Sequence, residues 1–159
     1  PFLDGDEPFL VHNADILSDI NLAEFYRHHR ESDAEATLLV SRRQTSRYLL
    51  LDDANRLHGW INKSTGETKP EGFSFREDRY KEMAFGGIHV ISPSLFRYME
   101  RGQWKEKFSI IPFYLSVCET ARIQGYPLQD RRWFDIGKPE TLAKAEAYYS
   151  SDRQASSSF

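Results

Sequence analysis

The chain has 159 residues, and its 21 lysines and arginines against 24 aspartates and glutamates give a formal net charge of −3. A chain of this length is expected to form a single domain. Hydrophobic residues make up 40% and charged residues 28% of the chain, a balance typical of a globular protein and too apolar for a disordered one. The longest apolar stretch without charge, Phe108 to Cys118, is far shorter than the roughly 20 residues of a membrane span, so we predict no membrane segment.

The charge pattern and the single cysteine argue against several kinds of binding site and against cross-linking within the chain. Acidic and basic residues are interspersed, which argues against a nucleic-acid surface. A weak basic cluster, Arg42, Arg43 and Arg47, is more typical of a solvated loop than of a phosphate-binding track. Cys118 is the single cysteine, so neither a disulfide framework nor a cysteine metal cage can form. Its apolar neighbours predict a buried, inert thiol, and the whole pattern fits a reducing cytoplasm.

The first part of the chain predicts a strand, a helix and a second strand. The apolar run from Phe9 to Asp15 predicts a buried strand, with Asp15 at its carboxyl end. Asn21 can cap a helix that has Glu24 three residues further on. The stretch from Ala36 to Val40 predicts the next strand, so the three elements form a βαβ unit.

The rest of the chain predicts further strands and three helices. Tyr48 to Ile61 predicts a β-hairpin, residues 62–73 a surface excursion, and Ala84 to Ile91 another strand. We predict helices from Ser92, from Ser109 to Gln124, and from Pro139, the last with Leu142, Ala145 and Tyr148 toward the core.

Together these elements predict an α/β fold with a mixed, mainly parallel sheet, flanked by helices and carrying a β-hairpin excursion. Residues 1–149 are expected to belong to one domain, and residues 150–159, which are rich in serine, to form a flexible tail.

Two acidic residues are placed where α/β proteins bind ligands. Asp15 follows a buried strand, and Asp135 lies between bulky apolar residues and a glycine. In open α/β sheets ligands bind at the carboxyl ends of strands, and two carboxylates that converge there favour Mg²⁺. The pattern leaves an alternative open, in which each aspartate caps its neighbouring turn or helix.

Three segments of the chain resemble segments of the sugar-1-phosphate nucleotidyltransferases, also called NDP-sugar pyrophosphorylases. They are Phe9 to Leu17 (FLVHNADIL), Phe85 to Ile91 (FGGIHVI) and Trp133 to Leu142 (WFDIGKPETL), which are similar to "fLvvNgDil", "tGiyvf" and "WxDiGTPexL". They occur in the family's order. The subgroup suggested contains the mannose-1-phosphate guanylyltransferase-like and N-acetylmuramate-1-phosphate uridylyltransferase-like proteins.

The resemblance implies a Rossmann-like fold and a reaction. A sugar 1-phosphate attacks the α-phosphorus of a nucleoside triphosphate, and pyrophosphate leaves. Asp15 and Asp135 would be the catalytic residues that hold the Mg²⁺ between the two substrates, a role that suits phosphoryl-type transfer.

The resemblance also implies substrate-binding residues. Asn13 would contribute beside Asp15, and Gly87 would let the sugar approach the backbone. Asn62-Lys63 falls where many relatives have Glu-Lys, of which the Glu accepts sugar hydroxyls and the Lys meets the sugar phosphate. Asn in place of Glu keeps a carbonyl oxygen as acceptor but loses the charge.

One family segment has no counterpart among these residues, namely the Gly-rich opening that cradles the triphosphate. The resemblance therefore implies the C-terminal half of the fold, with little or no turnover alone and with an uncovered surface that favours self-association. A non-catalytic sugar-nucleotide-binding or regulatory module on the same fold stays open. A metal-dependent glycosyltransferase is less favoured, because Asn13-Ala14-Asp15 supplies one carboxylate where that class has two.

The positions of the histidines and tryptophans in the sequence favour structural roles for these residues. His28 and His29 are adjacent on a predicted helix and so do not share a face, which disfavours a metal pair. His12 and His89 are expected to be hydrogen-bonded strand residues. Trp60, Trp104 and Trp133 are expected to be packing residues, and an alternative in which Trp133 walls the site beside Asp135 stays open.

Overall fold

The computed structural model describes residues 5–100, 104, 108–128, 133–137 and 139–156. The strands are β1 (Phe9–His12), β2 (Ile16–Ser18), β3 (Ala36–Ser41), β4 (Arg47–Leu51), β5 (Leu57–Asn62), β6 (Thr68–Lys69), β7 (Lys81–Ile91), β8 (Ile123–Pro127) and β9 (Trp133–Asp135). The helices are α1 (Leu22–Arg30), α2 (Phe96–Met99), α3 (Ile110–Val117) and α4 (Pro139–Ser156), and a 3₁₀ turn over Pro93–Leu95 leads into α2.

A mixed sheet forms the centre of the fold, as predicted. Its strand order is β6-β5-β4-β7-β3-β8, and β1 also pairs with β7. The ladders, however, are mainly antiparallel rather than mainly parallel, since β3 and β8 form the parallel pair among those described. The reason is the position of β7, which runs opposite to β1, β3 and β4 and lies beside all three.

One predicted helix ends much earlier than expected and is followed by a strand. Helix α3 ends at Val117, and Ile123–Pro127 forms β8 instead of continuing the helix to Gln124. Gly125 is therefore not a helix stop. A β-carbon there would collide with the side chains of Leu51 and Val40, so the glycine allows β8 to lie close against its neighbours.

Several other predicted elements are confirmed. The Asn21 side chain accepts a hydrogen bond of 3.1 Å from the Glu24 N–H and so caps α1. The hairpin forms between β4 and β5.

The last helix differs in part from the prediction. Ala145 of α4 is buried, but Leu142 is 39% exposed and does not face the core as expected. Helix α4 extends to Ser156, into the stretch predicted as a tail, whose last residues, 157–159, lie outside the described part.

Successive side chains of β3 point to opposite faces of the sheet, and a helix covers each face. Leu38 belongs to the cluster that contains Phe113 and Tyr114 of α3. Its neighbour Leu39 belongs to the cluster that contains Phe25 of α1. This two-sided packing accounts for the continuous burial of β3 from Ala36 to Val40. None of the described helices has a stretch long and apolar enough to cross a bilayer.

Two histidines are buried in the interior. The Nδ1 and Nε2 atoms of His29 lie 2.8 Å from Thr37 Oγ1 and 2.9 Å from Ser92 Oγ, so neither nitrogen faces a metal site. His89 Nδ1 lies 2.6 Å from the Tyr114 hydroxyl, which confirms its hydrogen-bonded role. Burial lowers the pKa of each histidine from 6.5 to about 4, because the interior disfavours the imidazolium.

We predict that acid destabilises the fold through these histidines. Between pH 6.5 and about 4 the unfolded chain binds protons that the folded chain does not, so the free energy of unfolding falls as the pH falls. The full effect is on the order of 3 kcal/mol per histidine. Urea unfolding over this pH range should give a shallower pH dependence for His29→Gln than for the wild type.

Candidate functional site

A small second sheet brings together the two aspartates that the sequence singled out. Strand β2, which was not predicted, pairs antiparallel with β9, with Ile16 opposite Asp135. The Ile136 N–H donates a hydrogen bond of 2.7 Å to the carbonyl oxygen of Asp15. Asp15 and Asp135 are therefore neighbours through backbone pairing, although they lie at opposite ends of the described chain.

The two carboxylates converge on one point beside Gly137. A β-carbon built on Gly137 would lie 3.2 Å from Asp135 Oδ1 and 3.3 Å from Asp15 Oδ2. The same Asp135 oxygen accepts a 3.1 Å hydrogen bond from the Gly137 N–H, so it also closes the local turn that the alternative interpretation expected. Asp15 is exposed and Asp135 is half-buried, which leaves the pair open to a ligand.

This pair is a suitable but partial set of ligands for a hard cation. Within the described residues no group of three or more His, Cys, Asp or Glu side chains is placed to hold a metal. Mg²⁺ takes oxygen ligands and is usually bound by one or two carboxylates, with waters and substrate phosphates filling the other positions. Two converging aspartates fit that requirement, and their role as metal ligands stays a prediction.

Gly87 fixes the backbone that leads to Asp15. Its φ is +74°, and a β-carbon there would lie 2.8 Å from Ile16 Cγ1 and 3.1 Å from Asn13 Nδ2. Its carbonyl oxygen accepts a 2.9 Å hydrogen bond from the Asn13 N–H. The space beside Gly87 is thus filled by the protein's own side chains. The structure gives this glycine a packing role, while the approach of a sugar to it stays a prediction.

Trp133 and Arg43 form the wall next to the carboxylates. The Trp133 indole N–H donates a 2.7 Å hydrogen bond to the Gly86 carbonyl. The Arg43 guanidinium lies 4.2 Å above the Trp133 ring and donates a 3.0 Å hydrogen bond to the Phe85 carbonyl. Desolvation lowers the pKa of Arg43, and the nearby Asp135 carboxylate opposes part of that shift. Arg43 is an exposed residue, but its guanidinium is held by these two contacts.

Arg43 also lines a cavity of about 510 Å³. Aromatic rings, cations and amides share its wall. Among its lining residues are Arg43, Arg47, Trp60, Asn62, Glu67, Lys69 and Phe85. This cavity, called here the Arg43 pocket, combines apolar ring faces with positive charge.

Asn62 and Lys63 lie in different surroundings, although they are adjacent at the end of β5. Asn62 lines the Arg43 pocket, and its Oδ1 accepts a 3.0 Å hydrogen bond from the Ser64 N–H. Lys63 Nζ lies 2.7 Å from Glu82 and 3.8 Å from Glu77. The structure therefore brings Asn62 to the cavity, whereas Lys63 is held by carboxylates.

Sequence reasoning overlooked Arg43 as a site residue. The basic cluster was visible, but its residues could not be told apart without their contacts. Arg42 is exposed, and Arg43 is fixed by groups from β7 and β9. No local sequence signal separates the two arginines, because the partners of Arg43 lie far along the chain.

Two converging carboxylates with an arginine close by are suited to ligands that carry phosphate. The family model described as nucleotidyl transferase matches residues 1–152. The chain belongs to this family.

Named relatives agree with the family assignment. The chain is 23% identical over 150 residues to the mannose-1-phosphate guanylyltransferase catalytic subunit beta of Danio rerio, covering 92% of this chain and 37% of the relative. It is 22% identical to a probable mannose-1-phosphate guanylyltransferase 3 of Arabidopsis thaliana, covering 92% and 40%. The chain thus spans about two fifths of the length of these curated relatives.

Solved structures share the fold. A UDP-glucose pyrophosphorylase complexed with UDP-glucose matches with a TM-score of 0.67 at 17% identity, covering 94% of this chain and 59% of that one. A UTP-bound UGPase from Acinetobacter baumannii also gives a TM-score of 0.67, at 16% identity, covering 91% and 51%. These matches confirm the Rossmann-like α/β architecture that the resemblance implied.

We predict that Gly87→Ala destabilises the protein more than Gly66→Ala does. Both positions have a positive φ, +74° and +75°, so both variants carry the same backbone strain. Only at Gly87 would the new methyl group strike Ile16 and Asn13, whereas nothing lies within 4 Å at Gly66. Overpacking of this kind costs about 1–3 kcal/mol, which urea unfolding would measure. Equal losses in the two variants would contradict the packing role.

Proposed function

We propose that the chain forms part of a sugar-1-phosphate nucleotidyltransferase. Such an enzyme joins a sugar 1-phosphate to the nucleotidyl group of a nucleoside triphosphate and releases pyrophosphate. The observation that carries the proposal is the convergence of Asp15 and Asp135 beside Gly137, with the Arg43 guanidinium stacked on Trp133, two residues before Asp135. The mannose-1-phosphate guanylyltransferases among the relatives support this class of reaction.

The proposed chemistry is an in-line displacement at phosphorus. An oxygen of the sugar phosphate forms a bond to the α-phosphorus, and the bond from that phosphorus to the leaving pyrophosphate breaks. Negative charge is concentrated on the phosphate oxygens, so positioning and charge neutralisation supply most of the catalysis. Bound at Asp15 and Asp135, Mg²⁺ would neutralise part of this charge.

The chain's own residues would bind and orient the sugar phosphate. The ring faces of Trp60 and Phe85 suit the apolar face of a sugar. The Asn62 amide provides hydrogen-bonding groups for hydroxyls. Lys63 would reach a phosphate only after leaving Glu82, so the lysine role implied by the resemblance requires that ion pair to open.

The reaction would take place in a reducing compartment, the cytoplasm. Cys118 is buried, as predicted, and burial raises the pKa of its thiol to about 11, so it stays protonated and unreactive near neutral pH. The chain spans about two fifths of the length of its curated relatives, so turnover is proposed for the complete natural protein. Ligand binding to the 159-residue chain tests the residues described above directly.

We predict that both aspartates are needed for divalent metal binding. Mn²⁺ serves as a paramagnetic probe for Mg²⁺, titrated into the 159-residue chain with mannose 1-phosphate present to supply further oxygen ligands. Asp15→Asn and Asp135→Asn should each weaken Mn²⁺ binding by about 10-fold or more in electron paramagnetic resonance titrations. Asp53→Asn removes an exposed carboxylate in the β4–β5 turn and should bind like the wild type.

Wild-type affinity in Asp135→Asn would contradict the metal role. In the complete natural protein the same two substitutions should lower Mg²⁺-dependent release of pyrophosphate sharply. A complete protein that binds the substrates without turnover would favour the non-catalytic module instead.

We also propose that the chain associates with itself. In the described residues β1 forms a ladder with β7 and with no second strand, so one edge of β1 is open. An open edge is a template for pairing with another chain. Sedimentation velocity should show a species that grows with concentration, and a monomer at all concentrations up to the millimolar range would contradict this.

A further inference from the structure

Arg43 lies at the junction between the two halves of the candidate site. Its side chain lines the Arg43 pocket, and its guanidinium covers the ring of Trp133, two residues before Asp135. Arg43 therefore contacts both the pocket and the segment that carries Asp135. None of the residue roles that the family resemblance implies involves Arg43.

The guanidinium is fixed in orientation but still has donors to offer. Its Nη2 donates to the Phe85 carbonyl at 3.0 Å, and its carbon lies 4.2 Å from the centre of the Trp133 ring. A guanidinium has five N–H donors, and one suffices for this bond. A planar cation held by a ring and a carbonyl can meet two phosphate oxygens at once without losing further side-chain freedom.

The charges around the pocket leave Arg43 without a salt bridge. Lys69 is paired with Glu67 at 3.2 Å, so these two pocket residues neutralise each other. In the described part of the chain neither Arg43 nor Arg47 lies within salt-bridge distance of a carboxylate. The pocket therefore has an excess of positive charge that suits an anionic group.

We propose that Arg43 binds the phosphate of the sugar 1-phosphate, and that Trp133 and the Phe85 carbonyl hold its guanidinium plane so that this phosphate faces Asp15 and Asp135. This inference rests on the proposed function and adds a substrate-binding residue to it. Trp133 is then a positioning residue, since it acts through Arg43.

The test compares neighbouring arginines in the full 159-residue chain. Binding of mannose 1-phosphate is measured by isothermal titration calorimetry for the wild type, Arg43→Ala, Arg43→Lys and Arg42→Ala. Arg42 is the matched control because it is exposed, adjacent and of equal charge. Circular dichroism confirms that each variant is folded.

Arg43→Ala should weaken binding by about 10- to 100-fold, the range expected for lost hydrogen bonds to a charged group. Arg43→Lys should recover only part of the affinity, because an ammonium keeps the charge but not the planar pair of donors. Arg42→Ala should match the wild type. Inorganic phosphate should compete with mannose 1-phosphate for the wild type and compete less well for Arg43→Ala.

Each contrary result has a distinct meaning. Equal losses in Arg42→Ala and Arg43→Ala would reduce the effect to net charge and overturn the inference. Wild-type affinity in Arg43→Ala would overturn it while the proposed function stands. Wild-type affinity in Arg43→Lys would overturn the claim that a guanidinium held in a fixed plane binds the phosphate. If Arg43→Ala does not fold, the affinity of Arg43→Lys alone tests the inference. No binding by the wild-type chain would overturn both the inference and the proposed function.

Discussion

Three consecutive carbonyl groups of β7 hold the candidate site. Those of Phe85, Gly86 and Gly87 accept hydrogen bonds from the Arg43 guanidinium, the Trp133 indole and the Asn13 backbone, respectively. They lie between the part of β7 that pairs with β4 and the part that pairs with β1. The positive φ of Gly87 interrupts the regular strand at this point. The central strand thus fixes the segments before Asp15 and Asp135 through its own backbone.

The local elements could be predicted because their signals are local. The Asn21 cap and the β4–β5 hairpin depend on residues a few positions apart, and both are confirmed. Residues 109–124 were misread as one helix, since the turn after Val117 that separates α3 from β8 contains no glycine or proline to signal it. Strand β2 is three residues long and exists because β9 pairs with it.

The residues of the candidate site also divide into those that the sequence indicates and those that depend on contacts with distant segments. The segments around Asp15 and Asp135 were noticeable from their position after apolar runs and from the family resemblance. Arg43 was not, because the groups that distinguish it from Arg42 lie far along the chain, on β7 and β9. Asn62 lines the pocket and Lys63 pairs with Glu82, and these contacts with other segments cannot be read from a motif of two residues.

The short pairing of β2 with β9 links ligand binding to local stability. Three residue pairs make a weak ladder, yet it joins Asp15 to Asp135 and holds Trp133 under Arg43. Opening of this ladder would break the backbone link between the two aspartates, while the main sheet stays paired. Any ligand that bridges the two carboxylates acts as a cross-link across the ladder, so the site is most rigid when it is occupied.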